Sequence, residues 1–339
     1  MKAALIGLGM VSGTYADAFA KSDKVTLGPV FARNADSRAK FLAAYPGLGA
    51  TEADSVAAIA GDPTVDFAIV TTPPNARMEI VAHLAAAGKP ILMEKPIERT
   101  LETATALVET CEELGLPLGI MLQHRARPVV ADLHAAMDDL GPLVAVEANV
   151  PWWRPQSYYD EPGRGTYERD GGGVLISQAI HTLDLMLSLT GPVSDVTAMC
   201  VTTALHEMEG EDFVTAGLRF ASGAVGQVFA TTASFPGRGE TITLHCSDGS
   251  AHLDAGTLRI DMHDGTVQTF GQATSSGAGA DPMAFTSDWH RFVIEDFADA
   301  LRNDRPPLIT GRSALDVHRL IVAIEHSGRS GARISLSEV

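Results

Sequence analysis

Cysteine is scarce in this sequence. Only three occur in 339 residues, Cys111, Cys200 and Cys246. They are far apart, odd in number and form no CxxC pair. That pattern supplies neither a disulfide framework nor a zinc site, and no metal is expected. Basic residues are also short: 25 Lys and Arg stand against 42 Asp and Glu, for a formal net charge of -17. A field of that sign repels nucleic acid and anionic membrane surfaces, so neither is expected as a partner. No apolar run reaches the roughly 18 residues of a membrane span. The opening MKAALIGLG is apolar too briefly for a signal-peptide core and reads as a first buried strand. These absences together predict a reducing, cytoplasmic setting.

What is present is an ordinary globular composition, 45% hydrophobic and 20% charged, in a chain long enough for two domains. Residues 2–6, 25–31, 66–71, 90–93 and 118–121 read as short apolar strands. Residues 11–20, 35–44, 76–87 and 101–114 between them read as amphipathic helices. Such alternation predicts a parallel sheet covered on both faces. Beyond about residue 123 the pattern changes. Helices are expected over 128–139 and 173–189, with a β-rich run over 144–150 and a Trp-, Arg-, Tyr- and Gly-rich stretch between. Short alternating segments from 196 to 269 predict an antiparallel sheet with Gly and Asp turns. A loop over 271–280 and helices over 288–303 and 311–328 complete the reading.

The run Gly7-Leu8-Gly9-Met10-Val11-Ser12 follows the first strand and opens a helix. It is a G-x-G-x-x-G variant with Ser12 in the third place. Gly7 and Gly9 let the backbone turn and approach a pyrophosphate; Met10 and Val11 lead into the helix N-terminus, whose N–H groups favour anions. In NAD-binding sheets an acid about 20 residues on holds the ribose 2′-hydroxyl. Here the second strand ends Phe31-Ala32-Arg33-Asn34, without a carboxylate. Arg33 suits a 2′-phosphate, which favours NADP over NAD; the alternative is a solvated loop arginine. The third strand runs into Thr72-Pro73-Pro74-Asn75 and the fourth into Glu94-Lys95-Pro96. Both are carboxyl ends, where ligands of such sheets sit. Thr72, Pro73, Asn75, Glu94 and Lys95 therefore join the candidate cofactor contacts, with Lys95 also a candidate proton or hydrogen-bond donor.

Further on, Ser177, His181 and Asp184 follow Gly171-Gly172-Gly173 at i, i+4 and i+7, on one helical face. His181 is the candidate acid/base, since imidazole titrates near working pH. Asp184 either orients a neighbour or touches substrate. The stretch from Trp152 to Tyr167 contains Arg154, Tyr159 and Arg164. Aromatic faces suit sugar CH surfaces and arginines suit hydroxyls or anions; a packed aromatic loop is the alternative.

GLGMVS, TTPPN, EKP and GGGVLISQAIHTLDL together resemble the Gfo/Idh/MocA family, which includes glucose–fructose oxidoreductase and inositol dehydrogenases. The resemblance runs from Lys2 to about Leu336. It implies an α/β Rossmann domain, residues 1–122, and an α+β domain with a large, mostly antiparallel open sheet, residues 123–339, for substrate binding and oligomerisation. It implies catalytic roles for Lys95 and His181, and a substrate site that includes Ser177, Asp184, Arg125, Arg154, Tyr159 and Arg164. Many members carry an aspartate where this chain has Ser177, which can exchange hydrogen bonds but carries no charge. The implied activity is NAD(P)-dependent transfer of a hydride to or from a secondary alcohol carbon of a sugar, sugar derivative or cyclic polyol. Relatives that retain NAD and use it transiently, and relatives that only bind dinucleotide, are the alternatives. A homodimer or homotetramer built on the open sheet is expected.

Overall fold

The computed structural model describes residues 1–274, 277–279, 281 and 283–339. The chain divides into two compact units, Met1–Gln123 with Ser287–Leu315, and His124–Thr286 with Asp316–Val339. Among the described residues no helix is long and apolar enough to cross a membrane.

In the first unit β1 (Lys2–Ile6), α1 (Ser12–Ala20), β2 (Thr26–Phe31), α2 (Ala35–Ala44), β3 (Thr51–Glu52), α3 (Val56–Gly61), β4 (Phe67–Val70), α4 (Arg77–Ala86), β5 (Ile91–Glu94), α5 (Leu101–Glu113) and β6 (Leu118–Met121) alternate. The strands pair in parallel in the order β3-β2-β1-β4-β5-β6. This is the doubly wound Rossmann order. Every residue of β4 and β5 is buried, as expected of strands covered on both faces.

In the second unit α6 (Pro128–Leu140), β7 (Leu143–Pro151) and α7 (Gln156–Tyr159) are followed by a π-helical turn, Leu175–Ala179, that runs into α8 (Ile180–Thr190). The strands β8 (Val193–Val201), β9 (Phe213–Phe220), β10 (Val225–Thr231), β11 (Thr241–Cys246), β12 (Gly249–Asp254), β13 (Thr257–Met262) and β14 (Val267–Gly271) come next. Then come α9 (Asp288–Arg302), which belongs to the first unit, α10 (Gly311–Ser330), whose first turn also does, and β15 (Ile334–Ser335). The nine strands of this sheet lie in the order β14-β13-β12-β11-β7-β10-β9-β8-β15. Among the described residues only β7 and β10 pair in parallel, so the sheet is mostly antiparallel.

Burial alternates along β9, where Val214, Ala216 and Leu218 point inward and Thr215, Gly217 and Arg219 outward. The inward face packs on α6 and α8. The outward face leaves Met199, Val201 and Val225 exposed.

The sequence reading carried its second domain unbroken from 123 to 339, but Ser287–Leu315 packs in the first unit. The cause is the apolar stripe of α9, on which Trp289, Val293, Ile294 and Phe297 are buried. Phe297 meets Phe67 of β4 edge to face at 5.2 Å. The short β3 and α3 carry too little periodicity to be read from sequence. Part of the loop expected over 271–280, namely Ser275, Ser276 and Ala280, lies outside the described residues.

Candidate active site

The cofactor candidates gather at one edge of the first sheet, where β1, β2, β4 and β5 end. Gly7 has φ +107°, and a Cβ there would lie 2.8 Å from the Thr71 hydroxyl and the Thr72 amide nitrogen. Only glycine lets the two strand ends approach so closely. A Cβ on Gly9, by contrast, would meet nothing within 4 Å. That open space fronts the N-terminal end of α1, where backbone N–H groups attract phosphate. Met10 is exposed, and Val11 caps α1 without a side-chain bond. The Thr72 hydroxyl is buried with no hydrogen-bond partner, a polar atom left available for a ligand. Pro73 and Asn75 are exposed beside it in the chain. These features fit a dinucleotide.

The end of β2 is more committed than its sequence suggested. The Asn34 side chain accepts the Asp36 N–H at 2.8 Å and so caps α2. Arg38, which the sequence reading passed over, donates to the Ala32 carbonyl at 2.6 Å and to Glu52 at 2.5 Å. Arg33 is exposed.

Glu94 and Lys95 close β5. The buried Glu94 carboxylate accepts the Tyr15 hydroxyl at 2.8 Å and the Lys95 N–H at 3.1 Å. Burial pushes the Glu94 carboxyl above its usual range, against the pull of Lys95. His290 of α9 lies 3.9 Å from the same carboxylate; burial, then Lys95, push it down to about 3, so its imidazole is neutral. Glu94 thus binds Lys95 and Tyr15 within the protein. Arg77 was also missed. Its guanidinium is 2% exposed and donates to the carbonyls of Thr72, Glu94 and Pro96. One buried cation thus ties the β4 loop to the β5 loop.

In the second unit, the segment carrying Ser177 and His181 is not a plain α-helix. Ser177 sits in the π turn, closed by i→i+5 bonds, and His181 in the first turn of α8. The spacing of Ser177 and His181 is therefore not one α-helical turn, as periodicity alone suggested. From Gly171 to Met186 only Ser177 is not buried. The His181 ring stacks on His124 at 5.0 Å between centroids.

Asp184 is fully buried, and both its oxygens accept bonds from Arg125. Burial pushes its carboxyl up to about 6 despite Arg125. Of the two roles left open for Asp184, the geometry supports the orienting one, and Arg125 is likewise occupied.

The aromatic segment also departs from expectation. Arg154 is 2% exposed and holds the carbonyls of Trp153, Gly277 and Gly279. Tyr159 is buried, its hydroxyl 2.7 Å from Thr232. Arg164 bonds Glu161 at 3.0 Å and stacks on Tyr158 at 4.3 Å. These bonds tie all three side chains into the loop itself, which also fits the packed aromatic loop that the sequence left as the alternative. Among the described residues no His, Cys, Asp and Glu cluster could hold a metal ion.

Comparison with known proteins matches residues 1–121 to an oxidoreductase family with an NAD-binding Rossmann fold, and residues 133–252 to the GFO/IDH/MocA C-terminal domain. The chain belongs to the Gfo/Idh/MocA oxidoreductase family. Within that family it is 26% identical to a D-apiose dehydrogenase of Paraburkholderia graminis, over 100% of this chain and 90% of that protein. It is 25% identical to the scyllo-inositol 2-dehydrogenase (NAD(+)) of Bacillus subtilis, over 81% and 79%. Among solved structures, the WlbA dehydrogenase of Bordetella pertussis, in complex with NADH and UDP-GlcNAcA, matches with a TM-score of 0.80 and 27% identity, over 99% and 98%.

Proposed function

We propose that this Gfo/Idh/MocA chain is an NAD(P)-dependent dehydrogenase or reductase acting on a CH–OH group of a sugar, sugar derivative or cyclic polyol. The observation that carries the reading is the position of Lys95. It leaves β5 on the same sheet edge as the open Gly9 turn and the unbonded Thr72 hydroxyl. A bound nicotinamide would accept or return the hydride at the substrate carbon. Lys95 holds the reacting oxygen and polarises it. His181 takes the hydroxyl proton in oxidation and gives it back in reduction. Ser177 reaches solvent from the π turn and exchanges a hydrogen bond with a substrate hydroxyl. Asp184 and Arg125 hold the helix that presents His181.

NADP is the favoured cofactor, because β2 ends without a carboxylate and Arg33 is exposed there. Assembly as a homodimer or homotetramer through the outer face of the nine-stranded sheet is part of the same reading, since that face carries exposed Met199, Val201 and Val225. The relatives named for apiose and scyllo-inositol, and the structure holding UDP-GlcNAcA, support ring hydroxyls as the substrate class. The test is a panel of monosaccharides, inositols and sugar acids read by nicotinamide absorbance with NADP and NAD in parallel. Turnover of at least one supports the proposal, and none with any compound rejects it.

A further inference from the structure

The π turn that carries Ser177 begins at a backbone crossing. The Val174 N–H donates to the Glu211 carbonyl at 2.7 Å. The Glu211 carboxylate accepts the Leu175 N–H at 3.0 Å and the Gly173 N–H at 3.3 Å. A Cβ on Gly173 would lie 1.9 Å from the Glu211 carbonyl oxygen, and one on Gly210 would lie 2.4 Å from the Gly173 nitrogen. Glycine at both positions is what lets the two chains touch. These N–H groups belong to the first turn, which a helix cannot satisfy internally. The residue that opens the turn, Val174, provides no side-chain cap. Glu211 supplies it from 36 residues away.

Glu325 of α10 flanks the run from another direction: its carboxylate would lie 3.3 Å from a Cβ on Gly172. The charged and titratable groups that interact with the two carboxylates are Arg329, Tyr167 and Cys200. Arg329 pairs with Glu325 at 3.0 Å. Burial, then Glu211, push Glu325 up to about 7. Glu211 is raised by burial too, but its bonds from Leu175 and Gly173 pull it back.

We propose that Glu211 is a positioning residue for the reaction: through Gly173 and Leu175 it sets where the π turn places Ser177 and where α8 places His181. This rests on the function proposed above.

The test compares Glu211→Gln, Glu211→Asp and Glu211→Ala with wild type in kcat, KM, cofactor affinity and hydrogen exchange of the amides of residues 173–181. The Gln carbonyl still reaches the Leu175 N–H, so kcat should fall less than about threefold. Asp keeps the charge but is one methylene short, and kcat should fall about tenfold. Ala should lose up to about 100-fold, the scale of a small misplacement of catalytic groups. KM and cofactor affinity should move less than about twofold, and exchange at 173–181 should quicken in the order Gln, Asp, Ala. If Ala does not fold, the order of Gln and Asp decides. A kcat unchanged in Glu211→Asp, or a Gln variant as impaired as Asp, overturns the proposal. If wild type turns over nothing in the panel, the functional reading fails; unchanged exchange in all variants overturns the positioning claim by itself.

Discussion

Arg125 occupies both oxygens of the Asp184 carboxylate, 59 residues further along the chain and with no exposure to solvent. Burial holds this carboxyl near 6 in the folded protein, against about 3.9 in an unfolded chain. A raised acid stabilises fully below its unfolded value, and that stability is lost as pH rises through the folded one. Without Arg125 the folded value rises further. Arg125→Met should therefore cost little at pH 5, where Asp184 is mostly protonated, and about 3 kcal/mol at pH 8, where a buried carboxylate is left alone. Urea unfolding at the two pH values measures this, and equal losses would contradict it.

Arg77 holds three backbone carbonyls around the cofactor edge. Each buried carbonyl left unpaired costs about 1–3 kcal/mol. Arg77→Met should lower stability by several kcal/mol and weaken dinucleotide binding about tenfold or more. Calorimetric titration at a temperature where the variant is folded reads the second effect. Unchanged affinity would show that the two loops hold their places without it.

At the end of β2, Arg33→Ala should weaken NADP far more than NAD. Ala32→Asp should move preference towards NAD, because a carboxylate there repels a 2′-phosphate. Equal weakening of both dinucleotides in Arg33→Ala, or a wild type that strongly prefers NAD, rejects the NADP reading.

Light scattering at micromolar concentration should report a dimer or tetramer. Val225→Asp, on the outer sheet face, should shift it towards monomer while leaving the fold intact. A monomeric wild type contradicts the assembly proposal.

Much of this architecture is legible in the sequence because periodicity reports burial. The strands at 2–6 and 118–121 and the helix at 35–44 stand where the alternation places them. Pairings between distant residues left no such trace. Nothing in the sequence links Arg125 to Asp184, or Glu211 to Gly173, since each bond depends on the folded sheet. Arg154 is ambiguous in sequence for a related reason. A guanidinium next to two tryptophans has the same composition whether it faces a ligand or, as here, three backbone carbonyls. The π turn is invisible too, because its residues are those of an ordinary buried helix.

The most direct test of the proposed chemistry is stopped-flow hydride transfer in His181→Ala and Lys95→Ala, with the substrate found in the panel. Losing a positioned acid/base costs about 10²–10⁴-fold in rate. Both variants should lose on that scale while still binding dinucleotide. Near-normal hydride transfer in His181→Ala would contradict the assignment of the proton to His181.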